Sequence, residues 1–311
     1  MKRPRPPEQA QVSGMTRQDR KVGCSVECRK PAGLGRRGNR RGLTPFTRSQ
    51  PVAGGCKKMG RRWAAEYHDL FAGDDDVTFY AAVSRKAGPK ALEIGVGTAR
   101  LAIPIAKAGS AVVGIDSSME LLNIAHGKIT SSGGSIVSRM RLLYGDIRDF
   151  NLPKEGRFDL AYAAAGAYNR CRTRAEMAHA LACVRDHLRV GGYLAFDLVH
   201  VPGDLMDGMP RLDGVAPLGD GGEVVRHLAY RAGRKRGDVE CHATYERFDA
   251  RGRSVERVAE RETLHLFEPT EVAELLQLGG FEDVDRFCDH RGGRGTGTRD
   301  DLAVYICHRG P

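Results

Sequence analysis

Between residues 90 and 200 the apolar positions fall into short runs separated by stretches of helical spacing. Ala91-Leu92-Glu93-Ile94 is one run, and Val112-Val113-Gly114-Ile115 is a second. Leu101, Ile103, Ile105 and Ala106 lie between them at the spacing of a helix face, and Met119, Leu122 and Ile124 follow the second run in the same way. Residues 137–144 contain a third strand, residues 158–162 read as a fourth, and a fifth should end near Val199. Met177, Leu181, Val184 and Leu188 place a helix before the fifth, opened by a Thr173-x-x-Glu176 capping box. Ser117-x-x-Glu120 reads as another such box. Pro104 is expected to bend its helix, because proline removes a backbone donor. Strands alternating with helices predict a parallel sheet covered on both faces.

The period changes over residues 223–267. Val224, Leu228 and Tyr230 alternate with polar residues, as do Val239, Cys241, Ala243 and Tyr245, then Val258, Leu264 and Leu266. Turn signals at 233–237 and 249–252 divide this stretch into three antiparallel strands, a small insert after the fifth strand of the main sheet. Pro269 then opens a helix through Val272, Leu275 and Leu276. Residues 281–288 and 302–307 supply a last strand pair. Ahead of the sheet, residues 63–71 have helical spacing, and a second helix follows Asp74 as its cap. Val77, Tyr80, Ala81 and Ser84 lie along one side of that helix.

Charge changes the picture of the ends. The 311 residues carry a net +10, yet residues 1–62 alone hold 17 Lys/Arg against 3 Asp/Glu. The remainder holds 32 basic and 36 acidic residues and is mildly acidic. The tail is rich in Arg, Gly and Pro and has no sustained apolar period, so it reads as disordered. Translation starting at Met59 would explain it. A basic nucleic-acid arm and a targeting segment are the other readings, although Phe46 is its only aromatic residue. The domain proper is therefore expected over 63–311. The eight cysteines are scattered; only Cys24 and Cys28 lie close, with no second pair or histidine at zinc-finger spacing, and no metal site is expected. They read as reduced thiols of a cytoplasmic protein. No apolar run approaches the length of a membrane span.

The first strand runs into Glu93-Ile94-Gly95-Val96-Gly97-Thr98-Ala99-Arg100, and the second ends on Asp116. Glycines at such a turn let a ligand approach the backbone. A dinucleotide site would want a third glycine where Arg100 stands, and Glu93 would repel a pyrophosphate. Glu93 instead suits a cationic ligand with a free amino group, and Asp116 can take both hydroxyls of a ribose. Glu-x-Gly-x-Gly with an acid after the next strand resembles the class I S-adenosylmethionine-dependent methyltransferases of small-molecule type. Ala99 stands where that family commonly has glycine. The resemblance covers roughly 63–308 and is strongest over 90–200. It implies a Rossmann-like seven-stranded sheet with helices on both faces and the small antiparallel insert on the substrate side.

The same resemblance implies S-adenosylmethionine as cofactor. Gly95 and Gly97 would face its methionine part and Asp116 its ribose, with Ser117 and Met119 beside them. Asp146 would accept from the adenine amine, and the Ile147 backbone N–H would serve a ring nitrogen. The helices of 63–87 would form a lid with Tyr67 touching the cofactor. Tyr168 and Asn169, in the loop after the fourth strand, and His200, after the fifth, are candidates for the acceptor side, with His200 or Tyr168 as base. The amide-clamping [DN]-P-P-[YF] motif is absent after the fourth strand, as are a Pro-Cys nucleophile and the two-glutamate loop of arginine methyltransferases. A small-molecule acceptor remains, methylated on nitrogen or oxygen. The rival reading is a non-catalytic cofactor-binding protein acting as a regulatory or RNA-associated partner through its basic tail.

Overall fold

A computed structural model describes residues 65–293 and 302–311. The basic tail and Trp63 lie outside the described residues. Five strands form the parallel part of a main sheet: β1 (Lys90–Ile94), β2 (Ala111–Asp116), β3 (Met140–Tyr144), β4 (Phe158–Ala163) and β5 (Leu188–Val199). The helices between them are α1 (Asp75–Ala87) before β1, α2 (Ala102–Lys107), α3 (Met119–Ser131), the single turn α4 (Gly134–Val137) and α5 (Arg174–His187). A second sheet is built from β6 (Arg211–Pro217), β7 (Glu223–Ala232), β8 (Asp238–Phe248) and β9 (Ser254–His265). The chain then returns through α6 (Pro269–Leu278), β10 (Phe281–Phe287) and β11 (Leu302–Arg309).

The main sheet has the order β10-β11-β5-β4-β1-β2-β3. β11 runs antiparallel to both its neighbours, one strand in from the edge, and the other six strands are parallel. The order reverses at β1, where β2 and β4 lie on opposite sides, so the crevice between their carboxyl ends is the expected ligand site of such a sheet. Side chains alternate between the faces. Leu92 and Ile94 of β1 join the core under α5 and α6, whereas Ala91 joins the core under α1, α2 and α3. The described residues contain no helix long and apolar enough to cross a membrane.

Several local expectations change. The insert has four strands, ordered β6-β7-β8-β9, and begins at Arg211. β6 escapes the hydrophobic pattern because its burial is slight: Leu212 and Val215 are exposed and only Ala216 is buried. β3 does lie within residues 137–144, with Val137 in the turn α4 ahead of it. Pro104 falls in the first turn of the six-residue α2, where its missing donor leaves no bond within the helix unmade. Asp74 occupies the N-cap of α1 without a side-chain capping bond. The cap of α3 is Ser118, whose Oγ accepts from the Leu121 N–H, one residue later than the box placed it. Thr173 does cap α5, by accepting from the Glu176 N–H.

Distant segments meet at one buried carboxylate near the end of β5. Asp197 accepts from the Gly166 N–H at 2.7 Å and from the Tyr80 hydroxyl at 3.0 Å, and lies 3.2 Å from His290 Nε2. These partners come from the loop after β4, from α1 and from the segment after β10. Gly166 has a left-handed φ of 62°, and a Cβ there would come within 2.8 Å of Asn169 Oδ1 and 3.1 Å of Val199. Truncating Asp197 to alanine leaves buried donors unmatched. Asp197→Ala is expected to cost about 2–4 kcal/mol, read as a lowered urea midpoint, with Asp197→Asn losing less.

Candidate functional site

The carboxyl ends of β1 and β2 carry the glycine turn and its two acids. Gly95 and Gly97 adopt left-handed φ values of 77° and 53°, which the missing Cβ makes inexpensive. The Gly95 and Val96 N–H groups both donate to the Ile115 carbonyl. Asp116 fastens the turn from the next strand: Oδ2 accepts from the Gly97 N–H and Oδ1 from the Ser118 N–H, each at 2.8 Å. Each carboxylate oxygen keeps a further lone pair for a ligand hydroxyl. Ala99 also has a positive φ, 62°, which explains why glycine is common at this place. Arg100 does not reach into the turn; its guanidinium pairs with Asp76 of α1 and donates to the Gly73 carbonyl.

Glu93 sits beneath this turn on the face that looks toward α1. Its register partner on β4 is Tyr162, whose hydroxyl donates to Glu93 Oε2 at 2.9 Å. Burial pushes the Glu93 carboxyl up to about 8, and the charges of Asp116 and Asp76 add to the rise, against the Tyr162 bond and the Arg100 charge. At neutral pH the carboxyl is thus largely protonated in the ligand-free protein. A cation brought beside it would favour the charged form.

The segment before α1 crosses to the same edge. Asp69, in the 3-10 turn His68–Phe71, accepts from the Thr98 hydroxyl of the glycine turn at 2.6 Å and pairs with Lys128 of α3. Tyr67 turns the other way. Its hydroxyl donates to Glu256 and its ring packs 6.2 Å from Tyr245, among Val224 and Val258 of the insert. The contact that the resemblance implied for Tyr67 is therefore spent on the second sheet, because an apolar face there needed cover.

A cavity of about 970 Å³ opens between this edge and the insert. On the main-sheet side Ser118, Leu121, Gly166 and His200 line it. Leu228, Ala243 and Leu264 form an apolar ceiling from β7, β8 and β9. Charges in its wall are largely paired: Arg170 meets Glu262 at 2.9 Å and Arg226 meets Asp213. His68 reaches the same wall, and desolvation pulls its imidazole below the ordinary range. Nothing in the local sequence marks His68; its place depends on the turn folding back over the glycine loop.

The other candidates divide. His200 lies at the cavity, just past β5. Tyr168 does not: it is fully buried in the core, 5.4 Å from the Phe196 ring, and burial pushes its phenol far up. It cannot exchange a proton with an acceptor from there. Asn169 is also fully buried. Its Nδ2 donates to the Val199 and His265 carbonyls and its Oδ1 accepts from the Val199 N–H, so it joins the end of β5 to the end of β9. Both residues follow a loop that winds into a 3-10 turn, Ala167–Arg170, and points them inward. Asp146 is held by Arg148, whose guanidinium keeps its carboxyl below the usual range, and Ile147 is buried behind it. Ser117 and Met119 flank Ser118 at the start of α3. The described residues thus bring Glu93, Gly95, Gly97 and Asp116 together, place His200 in the cavity wall, and send Tyr67, Tyr168 and Asn169 elsewhere.

Glu93 sets a pH dependence of known sign. Its carboxyl binds its proton more tightly folded than unfolded, so stability falls as pH rises from about 4.5 to about 8 and stays low above. Glutamine imitates the protonated group. Glu93→Gln should melt with the wild type near pH 4.5 and above it beyond pH 8. Parallel melting curves across that window would show that Glu93 is not desolvated.

Residues 91–192 match the family described as Methyltransferase domain. The uncharacterised methyltransferase GK2543 of Geobacillus kaustophilus (strain HTA426) is 34% identical over 131 residues, 42% of this chain and 55% of the relative. The matched stretch thus spans about half the length of that curated relative. A S-adenosylmethionine-dependent methyltransferase from Clostridium acetobutylicum ATCC 824 is similar in structure, with a TM-score of 0.65 at 17% identity over 80% of this chain and 98% of its own. The sugar N-methyltransferase KedS8 from Streptoalloteichus sp ATCC 53650 is similar with a TM-score of 0.62 at 23% identity, over 86% and 99%. At these identities the two likenesses concern fold. Residues 91–192 are thus similar in sequence to methyltransferase domains, and the chain shares its fold with S-adenosylmethionine-dependent methyltransferases.

Proposed function

We propose that the protein transfers a methyl group from S-adenosylmethionine to a nitrogen or oxygen of a small molecule held in the cavity under the insert. The observation that carries this reading is the pairing of Glu93 and Asp116 across the glycine turn. A buried carboxyl raised to about 8 lacks a cation, and the amino group of a methionine moiety is one. Asp116, gripped by two backbone donors, keeps acceptor capacity for ribose hydroxyls. When bound, the cofactor supplies an activated methyl on a sulfonium. The residues present fit that group.

The protein's own share is alignment and proton handling. Glu93 gives up its proton and balances the ligand's charge. Asp116 fixes the ligand's rotation through the turn it already holds. Leu228, Ala243 and Leu264 exclude water above the acceptor, and the insert acts as a roof. The acceptor's proton needs a base at the cavity wall. His68 and His200 both line it, and the lowered His68 imidazole is neutral near pH 7 and able to accept. The turn 68–71, stapled by Asp69, would serve as the lid in place of Tyr67. Asp146 would serve adenine after releasing Arg148.

S-adenosylhomocysteine should form when the protein is given S-adenosylmethionine with a panel of small amines, amino sugars and phenols. Asp116→Ala is expected to weaken cofactor binding by about 1.5–3 kcal/mol in calorimetry. Glu93→Gln should abolish the proton release that accompanies binding at pH 7, seen by comparing buffers of different ionisation enthalpy. His68→Gln should remove the lower limb of the pH–rate profile more than it changes cofactor affinity. Cofactor binding without turnover on any acceptor would favour a non-catalytic protein. Tight NAD binding instead would overturn the class.

A further inference from the structure

Away from the cavity, on the α5 side of the sheet, three side chains of different chemistry converge on one point. His179 and Cys183 stand four residues apart on α5, which puts them on the same face of the helix. Asp149 reaches them from the loop after β3. His179 Nε2 lies 3.4 Å from Asp149 Oδ1 and 3.8 Å from Cys183 Sγ, and the three atoms all fall within 4.8 Å of one another. One ring nitrogen is thus approached by both a carboxylate oxygen and a sulfur. The Cys183 thiol also lies 4.0 Å from the Arg148 carbonyl, and a cation at the centre of the three side chains would engage all of them.

The spacing fits a particular class of ion. With zinc–nitrogen and zinc–oxygen bonds of about 2.0–2.2 Å and a zinc–sulfur bond of about 2.3 Å, the edges of a tetrahedron come to about 3.3 Å between nitrogen and oxygen and about 3.6 Å between nitrogen and sulfur. The observed 3.4 and 3.8 Å need only a small contraction. Thiolate, imidazole and carboxylate together are a borderline-soft set, suited to zinc and poorly suited to magnesium or calcium. The outer two residues are exposed and the thiol is buried, so an ion could enter from solvent and meet sulfur at the floor.

We propose that Asp149, His179 and Cys183 form a zinc site, with water as the fourth ligand. On binding, the Cys183 thiol loses its proton to solvent as the sulfur–zinc bond forms. The His179–Asp149 contact is exchanged for one bond from each residue to the ion. The site ties the loop after β3 to α5. Arg148 already spans the same gap, pairing with Asp146 on the loop and lying 3.6 Å from Glu176 on the helix. Zinc therefore braces the loop that carries Asp146, as a structural ion with no part in methyl transfer.

The test uses the full chain with Cys24, Cys28 and Cys56 changed to serine, so that tail thiols cannot supply the ligand. Cobalt(II) titration should give one equivalent of a thiolate-to-metal charge-transfer band with four-coordinate visible bands, and zinc should displace it. Cys183→Ser should remove the charge-transfer band. His179→Ala and Asp149→Ala, both exposed changes, should each weaken binding by roughly 100-fold while leaving the metal-free melting temperature in place. Zinc should raise the melting temperature of the parent and not of Cys183→Ser. No charge-transfer band in the parent would overturn the site, and so would a band that survives Cys183→Ser.

Discussion

A single carboxylate holds two turns of this protein in register. Asp116, at the end of β2, accepts from Gly97 of the turn after β1 and from Ser118 at the start of α3. Hydrogen bonds to a charged group are each worth about 1.5–3 kcal/mol, enough to fix a glycine turn that would otherwise sample many conformations. The parallel pairing of β1 with β2 brings the acid and the turn to the same level. The glycine turn so held also carries Thr98, whose hydroxyl donates to Asp69. The site's rigidity thus comes from an interaction that its ligand would share.

The main sheet tolerates two buried acids by opposite means. Asp197 is surrounded by donors from three segments and works as a knot. Glu93 has one donor, Tyr162, and its desolvation is left uncompensated. The Tyr80 and Tyr162 rings, 5.5 Å apart, connect the two neighbourhoods. The two acids differ in how many of their lone pairs the fold already uses.

Much of this was legible in the residues themselves. Strand runs and the Glu93-to-Asp116 unit follow from short-range pattern, and the sheet order agrees with the fold that they suggested. The failures have one cause. Tyr67, Tyr168 and Asn169 were placed by position along the chain, but their direction depends on a 3-10 turn and on a second sheet. Strand β6 went unread because it buries little, and His68 because its neighbourhood is assembled from distant segments. Tyr162 could have been found only by pairing β4 with β1, a long-range fact.

The insert is attached to the main sheet at a few defined points. Asn169 joins β5 to β9, and Asp238, at the start of β8, takes Arg172 at 2.6 Å and His265 at 2.9 Å. These joints lie at strand ends, whereas Leu228 and Ala243 face the cavity from within β7 and β8. These two inward positions can therefore be exchanged without touching the joints or the glycine turn. The roof is a replaceable die on a fixed press: under the proposed function, exchanges in the half that would choose the acceptor need not touch the half that would hold the methyl donor.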